Sequence, residues 1–398
     1  MNERDRTRRL ILSAMIAGFL ARALFAFVYW QDRPLTIDQT EYLLLAERVL
    51  QGDGLTYPPG ERRLMRSPGY PIFLAAVGAV APGQGPIKLA QCLLGVVAIL
   101  QIAVLARRLG GDRAAVLASW LAALYPPLAF EPAYVLSEPL YTVLALSAVT
   151  CAWNATSATD NGTLFRWSAL TGALSGAVLL VRPEFAIFVG LLGLWLLWRQ
   201  RIVAAAMVGV TTALVVAPWP LYNAIAHDRV ILLSSRGGPN FWMGNNELAM
   251  GDGDVASNPP MAAEYVSLIS ENPDLAPEAL ERLFYRRSFE FIGDHPGQWM
   301  VLLAKKAFWF VVPLGPSYQS RSGLFWASHA LSWVLLLAAT IAAWPALRRT
   351  EMPPVALILG GLAVVVTSLL FFPLERYRVP LMDPLMIACA ATLANRRP

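Results

Sequence analysis

Long apolar runs separated by short polar stretches dominate the pattern of the chain. A helix needs about 20 predominantly apolar residues to cross a bilayer. The runs at 167–181 and 184–198 are short. A single span across both would be overlong and broken at Arg182-Pro183, which favours two helices. We therefore predict ten spans, at 10–30, 86–106, 114–130, 135–152, 167–181, 184–198, 202–222, 324–346, 353–373 and 379–394.

The basic residues between the runs predict how the chain is threaded, because cytoplasmic loops are enriched in Lys and Arg. Ten spans place five clusters, and both termini, on the cytoplasmic side of a bacterial inner membrane. A crossing at 299–314 would put Arg348 and Arg349 on the outer side of the membrane. We therefore predict an amphipathic or re-entrant helix there, and another at 70–81, which is too short to span. The five clusters are Arg4–Arg9, Arg107/Arg108/Arg113, Arg199/Arg201, Arg348/Arg349 and Arg396/Arg397.

Two polar stretches are too long to be simple connections, and loops of this length are uncommon unless they are functional. We predict an N-terminal membrane module at 1–222 that includes a first periplasmic loop at 31–69. A second periplasmic loop follows at 223–298, and a C-terminal membrane module at 299–398. In the second loop, Gly237-Gly238-Pro239 and Gly244-Asn245-Asn246 predict turns, and a helix is expected at 277–291.

Composition agrees with a membrane protein. The 398 residues are 56% hydrophobic and 15% charged, with a mean hydropathy of +0.50, whereas soluble domains carry about 25% charged residues. The net charge is +5, but the basic residues lie between apolar runs, so we predict no nucleic-acid partner. The three isolated cysteines predict neither disulfides nor zinc, and no cofactor or metal dependence is supported.

The predicted outer surface collects charged residues, which are costly beside a membrane and usually face a cavity or the protein interior. Arginines there could bind phosphate oxygens in bidentate fashion. The residues are Asp38, Glu41, Arg62, Arg63, Arg66, Glu131, Glu138, Arg182, Glu184, Glu375, Arg376 and Arg378.

Several of these residues have a structural as well as a functional interpretation. Asp38 could accept a proton as a general base, or, with Glu41, form a capping box at a helix start. Arg66, in Arg66-Ser67-Pro68-Gly69-Tyr70-Pro71, could bind phosphate or snorkel from a turn. Arg22, inside the first run, could be functional or snorkel. Glu138 could stabilise a helix start.

Taken in order, these pieces resemble the integral-membrane glycosyltransferases of the C-type fold, in the branch with dolichyl-phosphate-mannose protein mannosyltransferases and the aminoarabinose transferases of lipid A. The resemblance covers nearly the whole chain. It rests on Asp38 and Tyr42 with Ala46/Leu50/Gly52/Gly54, Pro68-Gly69-Tyr70-Pro71, Ser137-Glu138-Pro139, Arg182-Pro183, Gly244-Asn245-Asn246 and Arg376/Arg378.

The resemblance implies an all-α polytopic enzyme. Such an enzyme moves a sugar, with inversion, from a polyprenyl-phosphate donor in the membrane lipid to a glycan, lipid or protein acceptor. It implies Asp38 as general base. Many relatives have two adjacent acids where this chain has Asp38-Gln39, so Glu41 or Glu138 is a candidate for the second carboxylate. Donor phosphate would bind Arg66, Arg182, Arg376 and Arg378, and further candidates are Arg22, Tyr42, Tyr70, Lys305 and Asn245.

Two other functions stay open. A transporter or flippase of lipid-linked sugar would carry its charges near the midplane, often in repeated halves, whereas here they gather on one face. A ligase or polymerase of lipid-linked glycans would use arginines and a histidine of the large loop, for which His227 and His295 are candidates.

Overall fold

Helices account for all the regular secondary structure in the computed structural model, which describes residues 2–57, 65–253, 255, 258–312, 323–348 and 354–395. No strand occurs among these residues, so the all-α prediction is confirmed. The predictions for Arg62, Arg63, Arg349, Arg396 and Arg397 lie outside the described residues, as does the side chain of Arg348.

Eighteen α-helices follow one another along the described residues. They are α1 (Glu3–Leu24), α2 (Ile37–Gln51), α3 (Gly69–Val80), α4 (Gln84–Leu124), α5 (Pro126–Phe130), α6 (Glu138–Thr156), α7 (Asn161–Val181), α8 (Ala186–Trp198), α9 (Ile202–Val216), α10 (Pro218–His227), α11 (Gly237–Gly244), α12 (Pro259–Ser270), α13 (Pro277–Asp294), α14 (Pro296–Val311), α15 (Gly323–Arg348), α16 (Val355–Leu370), α17 (Glu375–Arg378) and α18 (Met382–Ala390).

The helices make this a multi-pass membrane protein. Each predicted span overlaps helical residues, although the number of crossings and their direction stay predictions. Within the described residues, five helical stretches are long and apolar enough to cross a membrane, and shorter apolar helices accompany them. The five are Glu3–Tyr29, Gln84–Leu124, Asn161–Val181, Ile202–His227 and Trp326–Pro345.

Glycine and proline set two breaks between apolar runs. The runs at 86–106 and 114–130 fall on two helical segments of α4, which are separated by a break at Gly110 (φ −145°) and Gly111 (φ +75°), and the second run continues into α5. The positive φ at Gly111 is a conformation that glycine adopts without steric cost. The predicted break at Arg182-Pro183 is confirmed, because α7 ends at Val181 and a 3₁₀ turn precedes α8.

Helix α2 begins differently from the capping-box prediction, which was wrong. Its N-cap is Thr36, whose hydroxyl accepts the backbone N–H of Gln39 at 3.4 Å. Asp38 is the second residue of the helix, and its carboxylate accepts hydrogen bonds from two arginines instead of capping the helix.

The segment 223–298 folds onto itself through α11, α12 and α13. It has its own small apolar core, and the predicted helix at 277–291 is confirmed as α13. The turn predicted at Gly237-Gly238 was wrong, because these residues open α11. A Cβ on Gly238 would overlap the Glu281 carbonyl, so glycine there permits close packing of α11 on α13. The core consists of Trp242, Met261, Leu268, Leu280, Leu283 and Phe284.

Arg22 fastens α1 to the end of α4. It is only 1% exposed, and its guanidinium donates to the Gly18 carbonyl at 3.0 Å and to the Ala122 and Ala123 carbonyls at 3.3 Å. The last carbonyls of a helix lack intrahelical partners and carry its negative dipole end. The cation therefore satisfies groups that would otherwise be buried without a donor.

Gly95 of α4 makes room for this arginine, since a Cβ there would lie 2.7 Å from Arg22 Cδ. We predict that Gly95→Ala lowers the free energy of unfolding by about 1–3 kcal/mol through overpacking. Gly193→Ala is the matched control, because no atom lies within 4 Å of a Cβ at Gly193. Alanine there should stabilise α8 by up to about 1 kcal/mol. Thermal unfolding in detergent compares the two, and equal stability of the variants would contradict the account of Gly95.

Candidate functional site

Eight charged side chains from six separate segments form a continuous row of alternating cations and anions, which we call the ion-pair chain. Each neighbouring pair is joined by at least one contact of 3.1 Å or less. Four arginines and four carboxylates make the chain formally neutral. In order, it consists of Arg236, Glu41, Arg66, Asp38, Arg376, Glu138, Arg182 and Glu184.

Arg66 bridges the two acids of α2. Asp38 and Glu41 are three residues apart, so they lie on the same face of the helix. The Nη2 of Arg66 donates to Asp38 Oδ1 at 2.5 Å and lies 2.6 Å from Glu41 Oε2, while its Nε donates to Glu41 Oε2 at 2.7 Å. Its side chain is 8% exposed, so the pairing offsets the cost of removing this cation from water.

Asp38 lies between two arginines that come from opposite ends of the sequence. Its second oxygen, Oδ2, accepts Arg376 Nη1 at 2.9 Å. Burial alone would raise the pKa of the Asp38 carboxyl, but Arg66 and Arg376 hold it well below its ordinary range. With 32% of its side chain exposed, Asp38 is the most accessible carboxylate of the ion-pair chain.

Glu138 is the buried counterpart of Asp38. It occupies the first turn of α6, where the helix dipole favours an anion, and its side chain is 4% exposed. Its Oε1 accepts Arg376 Nε at 2.9 Å and lies 3.1 Å from Arg182 Nη1. Glu138 therefore fixes two arginines relative to the start of α6.

Arg182, the last cation of the ion-pair chain, lies in an aromatic environment. Its Nε donates to Glu184 Oε1 at 2.5 Å. The guanidinium lies 5.3 Å from the ring centre of Tyr141 and 5.2 Å from that of Tyr377, within cation–π range. The Arg182-Pro183 break thus places a cation between helices rather than at a headgroup.

Tyr42 and Tyr70 form a packed pair of rings next to Arg66. The Arg66 guanidinium lies 4.4 Å from the ring centre of Tyr42, which packs edge-on against Tyr70 at 4.8 Å. Tyr70 is fully buried, and its hydroxyl donates to Gln91 Oε1 at 2.6 Å. The two predicted residues therefore lie beneath the cluster and restrict where Arg66 can move.

Arg378 belongs to a second buried network. Its Nε lies 3.0 Å from Asp383 Oδ1, and Asp383 Oδ2 accepts the Tyr125 hydroxyl at 2.6 Å. Arg376 and Arg378, which the sequence predicted as one pair of phosphate ligands, thus point to different partners.

Asn245 and the neighbouring lysines lie at the junction of α11, α14 and α16. Lys305 is exposed, whereas Lys306 is buried and donates to Asn245 Oδ1 and the Leu369 carbonyl, each at 3.0 Å. Asn245 Nδ2 donates to the Leu370 carbonyl at 2.8 Å. These contacts hold the end of α16, shortly before Arg376 in sequence.

The structure brings six predicted site residues into the ion-pair chain and leaves others outside it. Arg22 pairs with the end of α4, and Lys305 lies on the surface of α14. Arg236, Tyr57 and Lys306 were missed as site candidates. The six residues brought together are Asp38, Glu41, Arg66, Glu138, Arg182 and Arg376.

The guanidinium groups of the ion-pair chain are potential anion ligands. Its carboxylates are each bonded to arginine, and among the described residues no group of three His, Cys, Asp or Glu side chains is placed to hold a metal ion. A phosphate could bind the same guanidinium groups, because phosphate and carboxylate both accept their forked donors.

Known structures share this fold at low sequence identity. An archaeal oligosaccharyltransferase, AglB from Archaeoglobus fulgidus, matches in its apo form with a TM-score of 0.56 and 16% identity over 96% of this chain and 50% of that chain. Its complex with an inhibitory peptide and a dolichol-phosphate matches with a TM-score of 0.55 and 14% identity over 96% of this chain and 50% of that chain.

The aminoarabinose transferase ArnT from Cupriavidus metallidurans, bound to undecaprenyl phosphate, matches with a TM-score of 0.46 and 14% identity, covering 99% of this chain and 78% of that chain. No protein-family model and no curated protein matches the sequence. The chain spans about half the length of the oligosaccharyltransferase, and it has the C-type glycosyltransferase fold.

The ion pairs predict how stability responds to acid. Burial would raise the pKa of Glu41, but Arg236 and Arg66 lower it. The pKa of Asp38 is lowered in the same way by Arg66 and Arg376. Unfolded Asp and Glu titrate at about 3.9 and 4.3. Their lowered folded pKa values therefore stabilise the protein above about pH 4, and this stability is lost as pH falls below it.

We expect the thermal midpoint in detergent to fall below about pH 4 and to fall less in the double variant Asp38→Asn/Glu41→Gln. Glu290→Gln is the control, since its contact with Arg286 is long, at 3.8 Å, and both side chains are mostly exposed. An acid response of the double variant equal to that of wild type would contradict the assignment.

Proposed function

We propose that the protein is a glycosyltransferase that moves a sugar from a polyprenyl-phosphate donor to an acceptor, with inversion at the anomeric carbon. The observation that carries the proposal is the placement of Asp38 between Arg66 and Arg376, each within 2.9 Å. A partly exposed carboxylate beside two cations can supply both a base and a phosphate site. In the predicted threading, this site faces the periplasm.

Donor binding is proposed to exchange one anion for another. The donor phosphate takes the guanidinium groups of Arg66 and Arg376, and Asp38 gives up the contacts that keep its pKa low. Since a carboxylate without cationic partners binds a proton more readily, Asp38 becomes an effective base once the donor is in place. Donor binding would therefore precede proton transfer.

The proposed reaction is a single displacement. An acceptor hydroxyl or amine attacks the anomeric carbon while the bond from that carbon to the phosphate oxygen breaks. The acceptor proton passes to Asp38, and the polyprenyl phosphate leaves with the bonding electron pair. Arg66 and Arg376 stabilise the negative charge that develops on the leaving oxygen, where preorganised cations have their largest effect.

The fold and the relative sizes of the proteins support this proposal. AglB is solved with an inhibitory peptide and a dolichol-phosphate. The dolichol-phosphate is a lipid phosphate of the class proposed here. This chain matches about half of AglB, so the acceptor can differ from the peptide bound there. The segment 223–298 is the proposed acceptor side, because Arg236 brings it to the ion-pair chain.

Neither histidine of the large loop supports the ligase alternative. His227 packs edge-on against Tyr222 at 5.5 Å, and His295 lies 3.4 Å from Glu247. The described contacts of both residues involve side chains outside the ion-pair chain. Eight charged side chains also form one continuous cluster, which favours an enzyme over a transporter.

Asp38→Asn should abolish transfer and retain donor binding. Loss of a general base typically costs about 10²–10⁴-fold in rate. Affinity for polyprenyl phosphate should be equal to or tighter than that of wild type, because asparagine competes less for Arg66 and Arg376. The measurements are turnover with a panel of labelled polyprenyl-phosphate sugars and binding of polyprenyl phosphate in nanodiscs. Wild-type turnover in this variant would overturn the assignment of Asp38.

Arg376→Ala should weaken polyprenyl phosphate binding more than Arg378→Ala. Removal of a charged hydrogen-bond donor to phosphate costs about 1.5–3 kcal/mol, whereas Arg378 contacts Asp383 in the second network. The dissociation constants of the two variants provide the comparison, with unfolding midpoints measured alongside. Equal affinities of wild type and Arg376→Ala would exclude Arg376 from the phosphate site.

A further inference from the structure

We propose that Arg236 is a positioning residue for Arg66, which it holds through the carboxylate of Glu41. The inference rests on the proposed function, since it assumes that Arg66 binds donor phosphate. It also makes Glu41 a positioning residue rather than the second base.

Both oxygens of Glu41 are already occupied. Oε1 accepts the Tyr57 hydroxyl at 2.6 Å and Arg236 Nη2 at 2.5 Å. Oε2 accepts Arg66 Nε at 2.7 Å and Arg236 Nη2 at 2.6 Å. The side chain is 1% exposed. A carboxylate offers about four lone-pair sites, so Glu41 has no site left for an acceptor proton.

The backbone beside Arg236 also holds the residue that precedes Arg66. The Met65 N–H donates to Ser235 Oγ at 2.7 Å, and the Met65 carbonyl accepts the Ser235 N–H at 3.0 Å and the Ser234 hydroxyl at 2.8 Å. The segment around Arg236 therefore holds Arg66 twice, by its backbone and through Glu41.

The segment around Arg236 is itself anchored to the helix that precedes it. The indole N–H of Trp219 in α10 donates to the Leu233 carbonyl at 3.1 Å, and Trp219 is buried. A displacement of this part of the 223–298 region would therefore move Arg66, through the backbone of Met65 and through Glu41.

The two arginines contact Glu41 in different ways, and this difference gives a discriminating test. Arg236 reaches both oxygens through one nitrogen, Nη2, so a lysine ammonium can replace it. Arg66 uses two nitrogens, Nε on Glu41 and Nη2 on both acids. This is the forked geometry that lysine lacks.

The test measures binding of polyprenyl phosphate, with polyprenol as the phosphate-free reference, to the full chain in nanodiscs. Arg236→Met should raise the dissociation constant by roughly ten- to a hundredfold, a typical effect of misplacing a binding group. Arg236→Lys should restore most of the affinity, whereas Arg66→Lys should not. Arg286→Met, in an exposed ion pair of α13, is the control and should bind as wild type does.

A double-mutant cycle tests whether Arg236 acts through Glu41. Glu41→Gln should weaken binding by itself, and adding Arg236→Met to it should have little further effect, because coupled residues are not additive. Glu41→Gln should keep the decrease in rate at low pH (the acid limb of the pH–rate profile), because the proposed base is Asp38 and not Glu41. Unfolding midpoints of all variants show that each is folded.

Three results would overturn the inference. Wild-type affinity in Arg236→Met would show that Arg66 does not need this partner. Fully additive effects in the cycle would show that Arg236 does not act through Glu41. A large decrease in turnover in Glu41→Gln with unchanged affinity, and no acid limb in the residual rate, would make Glu41 a base. A wild-type protein that binds polyprenyl phosphate no better than polyprenol would instead overturn the proposed function.

Discussion

The bridge from Arg66 to Asp38 and Glu41 is the interaction on which the rest of the site depends. A buried guanidinium is costly unless carboxylates compensate it, and breaking such a pair is more costly than never having made it. Arg66 therefore fixes the face of α2 that turns inward. It also links the sequence before α3 to α2, and through Asp38 it reaches Arg376, which is 338 positions from Asp38 along the chain.

Exposure divides the ion-pair chain into a fixed part and an exchangeable part. The side chains of Glu41, Glu138, Arg66 and Arg182 are at most 8% exposed, and they form two direct pairs, Arg66 with Glu41 and Arg182 with Glu138. Asp38, Arg376 and Arg236 are 31–36% exposed. A ligand can approach through the second group and displace Asp38 from Arg66, while the remaining contacts of the first group hold the helices in place, as a preorganised binding site requires.

The sequence was sufficient for the fold class and for much of the cluster. Span length and the Arg182-Pro183 break follow from local chemistry, and the cost of charge near a membrane predicted that Asp38, Arg66, Glu138 and Arg376 would converge. It could not separate Arg376 from Arg378, or Lys305 from Lys306. Residues one or two positions apart on a helix point about 100–200° apart, so a small error in helix phase exchanges the buried and exposed members of a pair.

Arg236 was missed for a different reason. It lies in an irregular segment with no periodicity, and its partner Glu41 is 195 positions away. Long-range pairing of this kind depends on tertiary packing. The break in α4 at Gly110-Gly111, by contrast, falls between the two predicted runs at 86–106 and 114–130, so the polar residues between two apolar runs were sufficient to predict it.

The formal neutrality of the ion-pair chain has a consequence for the end of the reaction cycle. Under the proposed reaction the product is a phosphate monoester, which carries at least as much negative charge as the diester it came from, and a purely cationic pocket would retain it. Here Asp38 competes for Arg66 and Arg376 as soon as its proton is lost to water. The carboxylate that accepts the proton would therefore also displace the spent carrier lipid, so that product release and regeneration of the resting site become one event.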